Sequence, residues 1–115
     1  MRRMSFALTT DQILNQTKTV TRRKGWLFLR EFDSVRPVEK CMGLKKGEKQ
    51  KVIGEDVLLI KSVSREPINA ITQEDVVKEG FPGWTTDQFI ELYCKANKCK
   101  PTDLCTRIEF YYLPF

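Results

Sequence analysis

The run Val57-Leu58-Leu59-Ile60-Lys61-Ser62-Val63-Ser64 limits this chain's fold more than any other stretch. It is β-branched and apolar enough to lie in a core as a strand. A buried strand has to find partners for its backbone donors and acceptors. The remaining 107 or so positions must therefore supply a sheet around it, and Pro67 ends the strand.

Further strand signals are short and spread along the chain. Residues 5–8 read as a strand, and so do the β-branched residues 19–21, with Thr19, Thr21 and Arg23 on one face and Val20 and Arg22 on the other. Trp26 to Leu29 form an apolar run expected to be buried. Residues 30–33 look like a turn. Residues 34–41 alternate as a strand that Pro37 assigns to an edge or a bulge. Residues 104–113 form the last strand. Three short helices fall between these strands. The first is capped by Thr9 or Thr10, carries Asp11 in its first turn and buries Ile13 and Leu14 before ending near Gln16. The second starts at Thr72 with Asp75 at the capping-box position and stops at Gly80. The third is capped by Thr85 or Thr86 and presents Phe89, Ile90, Leu92 and Tyr93 as its apolar face. The pattern predicts an α+β fold: a small mixed β-barrel with about three short helices at its mouth, one domain over residues 1–115.

Charge is unevenly placed. Residues 1–51 carry 13 Lys/Arg against 5 Asp/Glu, whereas residues 52–115 carry 7 against 10. Such polarity is the electrostatic footprint of a polyanion binder. No apolar run is long enough to span a membrane. The basic start, Met1-Arg2-Arg3-Met4-Ser5-Phe6-Ala7-Leu8, has too short an apolar part for an export signal, so a cytoplasmic location is expected. Of the four cysteines, Cys94, Cys99 and Cys105 suggest a zinc cluster at first sight. There is no Cys-x-x-Cys pair and no histidine, so they are read as free thiols and no metal or cofactor is expected. Without histidine, any general base has to be Lys, Asp, Glu, Tyr or Cys.

The chemistry concentrates in Lys18-Thr19-Val20-Thr21-Arg22-Arg23-Lys24-Gly25-Trp26, four cations and two threonine hydroxyls before a glycine and a tryptophan, which suggests a wall for an anionic or nucleotide-like ligand. A threonine hydroxyl becomes a nucleophile only when a base takes its proton. Lys18 is the nearest such base, if desolvation or neighbouring cations lower its pKa. The planar fork of Arg23 suits a phosphate or a base carbonyl. Arg22 belongs to the same ligand wall, though with Lys24 it also reads as solvated flank. The glycine-punctuated loop of residues 42–49 is not a phosphate-binding loop of the Gly-Lys-Ser/Thr type. Its Lys45 and Lys46, with Lys40 before it, are candidate phosphate contacts. Trp84, in a Pro-Gly turn, is a candidate for stacking on a base.

The element Lys18, Thr21, Arg23, entered from a short helix, resembles the Lys-x-x-Thr-x-Arg signature of the ASCH domain of the PUA-like superfamily. Glu79, near the end of the second helix, falls where that family has an acidic residue, and the closing strand resembles the family's last strand. The variant with Glu79-Gly80-Phe81-Pro82-Gly83-Trp84 is similar to forms common in phage and prophage proteins. The resemblance implies a barrel with a cleft and binding of RNA or a modified nucleoside. In one branch, amidohydrolases that deacetylate N4-acetylcytidine, it implies a catalytic set falling here on Lys18, Thr21 and Glu79. Other relatives are linked to ribonuclease activity. Residues 31–33 replace the family's usual Pro-Gly-Asp turn, and the loop of residues 41–51 is longer and more basic, which bears on the substrate more than on the fold. The expectation is RNA or nucleotide binding, with an amidohydrolase and a protein-interaction module using the basic face as alternatives.

Overall fold

A computed structural model describes residues 1–40 and 43–115; the predicted strand end at Cys41 and the loop start at Met42 lie outside them. Among the described residues five strands are present: β1 Arg2–Ser5, β2 Val20–Arg23, β3 Ser34–Val38, β4 Asp56–Pro67 and β5 Leu104–Pro114. Three helices are α1 Thr10–Leu14, α2 Gln73–Lys78 and α3 Thr86–Asn97, and a 3-10 turn Ile68–Ala70 follows β4. The strands form one mixed sheet in the order β1-β3-β4-β5-β2, with β1 parallel to β3 and the other pairs antiparallel.

The sheet's spine is β4 against β5, paired from Asp56↔Pro114 to Pro67↔Leu104. A register shift between Ile60 and Ser62 leaves Lys61 as the extra residue of a bulge. Side chains alternate between faces in a regular strand, so one extra residue reverses the alternation. Leu58 and Ile60 are buried in the first hydrophobic cluster, and Val63, an odd position, packs against the same cluster. The bulge explains how both parities serve one core.

Two expectations are corrected. The sheet is not a closed barrel: among the described residues β1 and β2 are edges with no ladder between them. Both are only four residues long, and their seam is bridged by side chains instead, with the Arg23 guanidinium 4.6 Å over the Phe6 ring. Strand β3 is interior rather than an edge, with β1 on one side and β4 on the other. Pro37 is tolerated there because pairing to β4 involves only Ser34 and Val35. Beyond it, the Pro37 carbonyl accepts from the Ile53 amide at 2.9 Å, a bond for which no proline N–H is needed.

The sheet separates two hydrophobic clusters. Met4, Phe6, Val35, Leu58, Ile108 and Phe110 belong to the first. Ile68, Ile71, Val76, Phe89, Tyr93 and Cys105 form the second, beneath α2 and α3. Cys105 and Ile108 differ in parity on β5, which puts the clusters on opposite faces. Cys94 and Cys99 pack against the second cluster with their sulfurs 3.6 Å apart. Burial and the neighbouring Cys99 push the Cys94 thiol up to about 11.

Candidate functional site

Strand β2 positions the site because it is an edge. Its alternation sends Thr21 and Arg23 to the face that carries Phe6, and Arg22 to the face beneath α2. Lys18 precedes the strand. Its carbonyl accepts from the Tyr112 hydroxyl, and the next residue's amide donates to the Lys78 carbonyl of α2 at 2.8 Å. That bond brings the end of α2 against the start of β2. Thr72 caps α2, its hydroxyl accepting from the Asp75 amide at 3.2 Å. The capping box is not reciprocal, because the Asp75 carboxylate turns to arginines. Gly80, at φ +100°, ends the helix, and a Cβ there would stand 2.8 Å from Gln12 Cγ. Only glycine lets α1 come this close while turning the chain.

The result is a buried charge cluster. Lys18 Nζ donates to Glu79 Oε1 at 2.7 Å and to the Glu79 carbonyl at 2.8 Å. Arg22 Nη1 donates to Glu79 Oε2 at 3.2 Å, and Nη2 donates to Asp75 Oδ2 at 2.6 Å and Glu66 Oε1 at 3.3 Å. Arg107 on β5 stands directly opposite Arg22 in the ladder. Two like charges opposite one another repel. Asp75 resolves the conflict, since Arg107 Nε and Nη2 donate to its two oxygens at 2.7 and 3.0 Å. The Arg22 side chain is 1% exposed and that of Glu79 2%. Arg22 is therefore not the solvated flank that its sequence neighbours suggest, because three carboxylates offset its desolvation. Among the described residues, Arg22 Nε is the buried side-chain nitrogen or oxygen left without a hydrogen bond.

Titration follows from these contacts. Burial alone would raise the Asp75 carboxyl, but hydrogen bonds from Arg107 and Arg22 overrule it and hold it at about 2. Desolvation lowers the pKa of Lys18; the Glu79 carboxylate opposes that shift, and the charges of Arg23 and Arg22 add to it.

Lys18, Thr21, Arg22, Arg23 and Glu79 line a cleft of about 300 Å³ that straddles the β2 edge. The lining also includes apolar side chains, among them Phe6, Leu8, Phe81, Phe89 and Leu92. Thr21 is buried, and its hydroxyl accepts from Arg23 Nε at 3.0 Å. The other sequence candidates lie elsewhere. Lys40 is exposed, 3.4 Å from Glu48, and lines a second cleft that meets the first at Ala7. Lys45 and Lys46 are exposed and line neither cleft. Trp84 is half-buried, its ring 4.6 Å from that of Phe81, and it is Phe81 that reaches the cleft.

Sequence reasoning missed Asp75, Glu66 and Arg107. A signal was available for the first. Asp75 and Glu79 are i and i+4 on one short helix, a like-charge pair that is unfavourable unless cations face it.

No family model matches the sequence, and no curated protein matches it. Solved structures do. An ASCH domain from Lactobacillus crispatus JV V101 superposes with a TM-score of 0.62 at 16% identity, covering 99% of this chain and 80% of that one. A DUF984-family protein from Enterococcus faecalis V583 superposes with a TM-score of 0.64 at 11% identity, covering 98% of this chain and 80% of that one. At these identities the likeness speaks for the fold. Among the described residues no helix is long and apolar enough to cross a membrane. The chain has the fold of the ASCH domain structure it superposes on.

Proposed function

We propose that the protein binds RNA by taking a single nucleoside unit into the cleft at the β2 edge. The observation that carries this is the composition of the cleft, which is lined by the cations Lys18, Arg22 and Arg23 together with the rings of Phe81 and Phe89. A flat heteroaromatic ring with polar edges matches such a mixed lining, and the basic N-terminal half suits a phosphate chain. About 300 Å³ lies at the small end of ligand pockets, which favours one nucleoside over a larger group. Lys18 and Glu79 already satisfy each other, so they orient a ligand rather than exchange protons with it. The test is a titration of single-stranded RNA and of free cytidine at several salt concentrations. RNA affinity should fall steeply with salt through counterion release, and Arg23→Ala should weaken both ligands. An affinity that is flat with salt, or a nucleoside that does not bind, overturns the proposal.

A second reading, deacylation of an N4-acylcytidine, is favoured by one observation. Desolvation lowers Lys18 in the same cleft as the Thr21 hydroxyl. In that reaction water ends up split between acetate and cytidine, and Thr21→Val, close in shape, should stop the release of cytidine. Wild-type protein that leaves N4-acetylcytidine intact refutes it.

A further inference from the structure

The seam between β1 and β2 has a second end, and it carries exposed rings. After β2 the chain makes a turn over residues 26–29, the Leu29 amide donating to the Trp26 carbonyl at 3.4 Å. Leu29 is buried, but the tip residues Leu27 and Phe28 are 69% and 49% exposed, against the expectation that this apolar run is buried throughout. Trp26 holds φ +57°, a left-handed backbone that a non-glycine residue adopts only where its surroundings hold it there. The Thr106 hydroxyl, donating to the Gly25 carbonyl, fixes the loop on β5. The outcome is a layered surface. The Trp26 ring packs on the first cluster and lies 5.4 Å from the Phe28 ring, with the Arg2 guanidinium 4.1 Å over Phe28. Arg2, on the ring, and Lys24 and Arg30, just before and just after the turn in the chain, are exposed, and among the described residues none of their side chains forms an ion pair with a carboxylate, although the Arg30 amide donates to Asp33 Oδ2 at 2.9 Å.

We propose that this surface is a platform for an unpaired stretch of RNA, with a base stacked in the Phe28–Arg2 layer and phosphates on Lys24 and Arg30. The charge decides the occupant. An apolar protein partner would have to desolvate three cations without offering them anything, whereas a nucleotide supplies a π-face for the ring and an anion for the cations. The platform also continues into the cleft. Strand β1 begins at Arg2, beside Phe28, and leads to Phe6, which lines the cleft beneath Arg23. Four residues of extended chain separate them, about 13 Å, a span that a short single strand covers. The inference rests on the RNA-binding reading and adds to it the strandedness of the ligand and a contact surface outside the cleft.

The experiment titrates the full chain with a mixed-sequence single-stranded RNA oligomer, with the same oligomer as a duplex, and with free cytidine. The wild type should prefer the single strand. Phe28→Ala should weaken the single strand about tenfold and leave cytidine binding unchanged, while Phe28→Trp should restore the RNA affinity. An unchanged RNA affinity in Phe28→Ala, or equal binding of duplex and single strand, overturns the platform and leaves the cleft untouched. RNA binding that depends on Phe28 in a protein that does not bind cytidine keeps the platform and overturns the cleft. Phe28 is half exposed, so the alanine variant is expected to fold, and unchanged cytidine binding would report that directly.

Discussion

Two basic stretches look alike in the sequence and end up in opposite surroundings. Residues 18–24 and residues 40–51 are both rich in cations, with four Lys/Arg in the first and five lysines in the second. In the first, Lys18 and Arg22 are buried against Glu79, Asp75 and Glu66. In the second, Lys40, Lys45, Lys46 and Lys49 are exposed, and the described ion pair is Lys40 with Glu48 at 3.4 Å. The difference lies in what faces each stretch. The first runs under the end of α2, which delivers two carboxylates one turn apart. The second lies beside Thr10 of α1, and among the described residues the ion pair formed there is to Glu48 of the loop itself rather than to a helix. A run of cations becomes a site only where another element brings enough negative charge to keep it out of water, and the cost of breaking it should scale accordingly.

The largest effect should come from Glu79→Ala. It removes the carboxylate shared by Lys18 and Arg22 and leaves two cations buried. Breaking a buried pair from one side costs about 3–5 kcal/mol, so chemical denaturation should show a large drop in midpoint. Glu48→Ala, the matching change in the loop, should leave the midpoint where it was. Equal losses for the two variants would erase the contrast. Glu79→Gln sharpens the same point. Without the carboxylate's opposing pull, Lys18 should titrate still lower, which the chemical shift of its Cε carbon can follow. A Lys18 that titrates in the ordinary lysine range would mean that burial does not govern it.

Gly80→Ala should cost about 1–3 kcal/mol, because φ +100° and the 2.8 Å approach to Gln12 Cγ leave no place for a methyl group. The Gln12 side chain also donates to the Gly80 carbonyl at 3.2 Å. Relief of the clash would move α1 and with it the Leu8 wall of the cleft. The variant should therefore lose ligand affinity along with thermal stability. Lost stability with intact affinity would show that α1 does not set the cleft.

Acid should act on the cluster through Asp75. Asp75 titrates at about 2 in the folded chain against an ordinary 3.8. Its folded pKa is depressed, so its contribution is present above about pH 4 and is lost as pH falls toward 2. Unfolding midpoints measured over that window should fall in the wild type, and fall less steeply in Asp75→Asn, whose starting stability is already lower. Parallel curves would show that another carboxylate carries the acid response.

How much of this was readable in advance follows from the same contrast. The caps at Thr72 and Thr85, the stop at Gly80 and the core strand of residues 57–64 are local signals, and they fall in the folded chain where the sequence put them. Pairing is not local. Closure into a barrel was expected from strand number, but edges of four residues and an intervening cleft leave the sheet open. The bulge at Lys61 left no signal either, though it decides which parity of β4 is buried. For the site, Lys18, Thr21 and Arg23 stood out in a cation-rich stretch and Glu79 was legible only through the resemblance to the ASCH signature; all four line one cleft. The fate of Arg22 was not legible, because it depends on Arg107, 85 positions away, standing opposite it in register. The exposure of Leu27 and Phe28 was hidden by their hydrophobicity, which speaks for burial unless a turn places them outside.

The smallest effect should come from Lys45→Ala combined with Lys46→Ala. Both lysines are exposed and neither lines a cleft, so removing them takes away no packing and no buried partner. Thermal stability should not move. Their contribution can only be long-range attraction, which salt screens over about 10 Å at 0.1 M. RNA affinity should therefore fall slightly at low salt, equally for every sequence, and be indistinguishable from wild type near 0.15 M. Arg23→Ala should instead remain defective at every salt concentration, because Arg23 lines the cleft and its contact with a bound ligand would be direct rather than long-range. If the loop variant is the one whose defect persists at high salt, the second basic stretch also has a built contact, and the two differ only in where their counter-charge comes from: the chain itself in one, the ligand in the other.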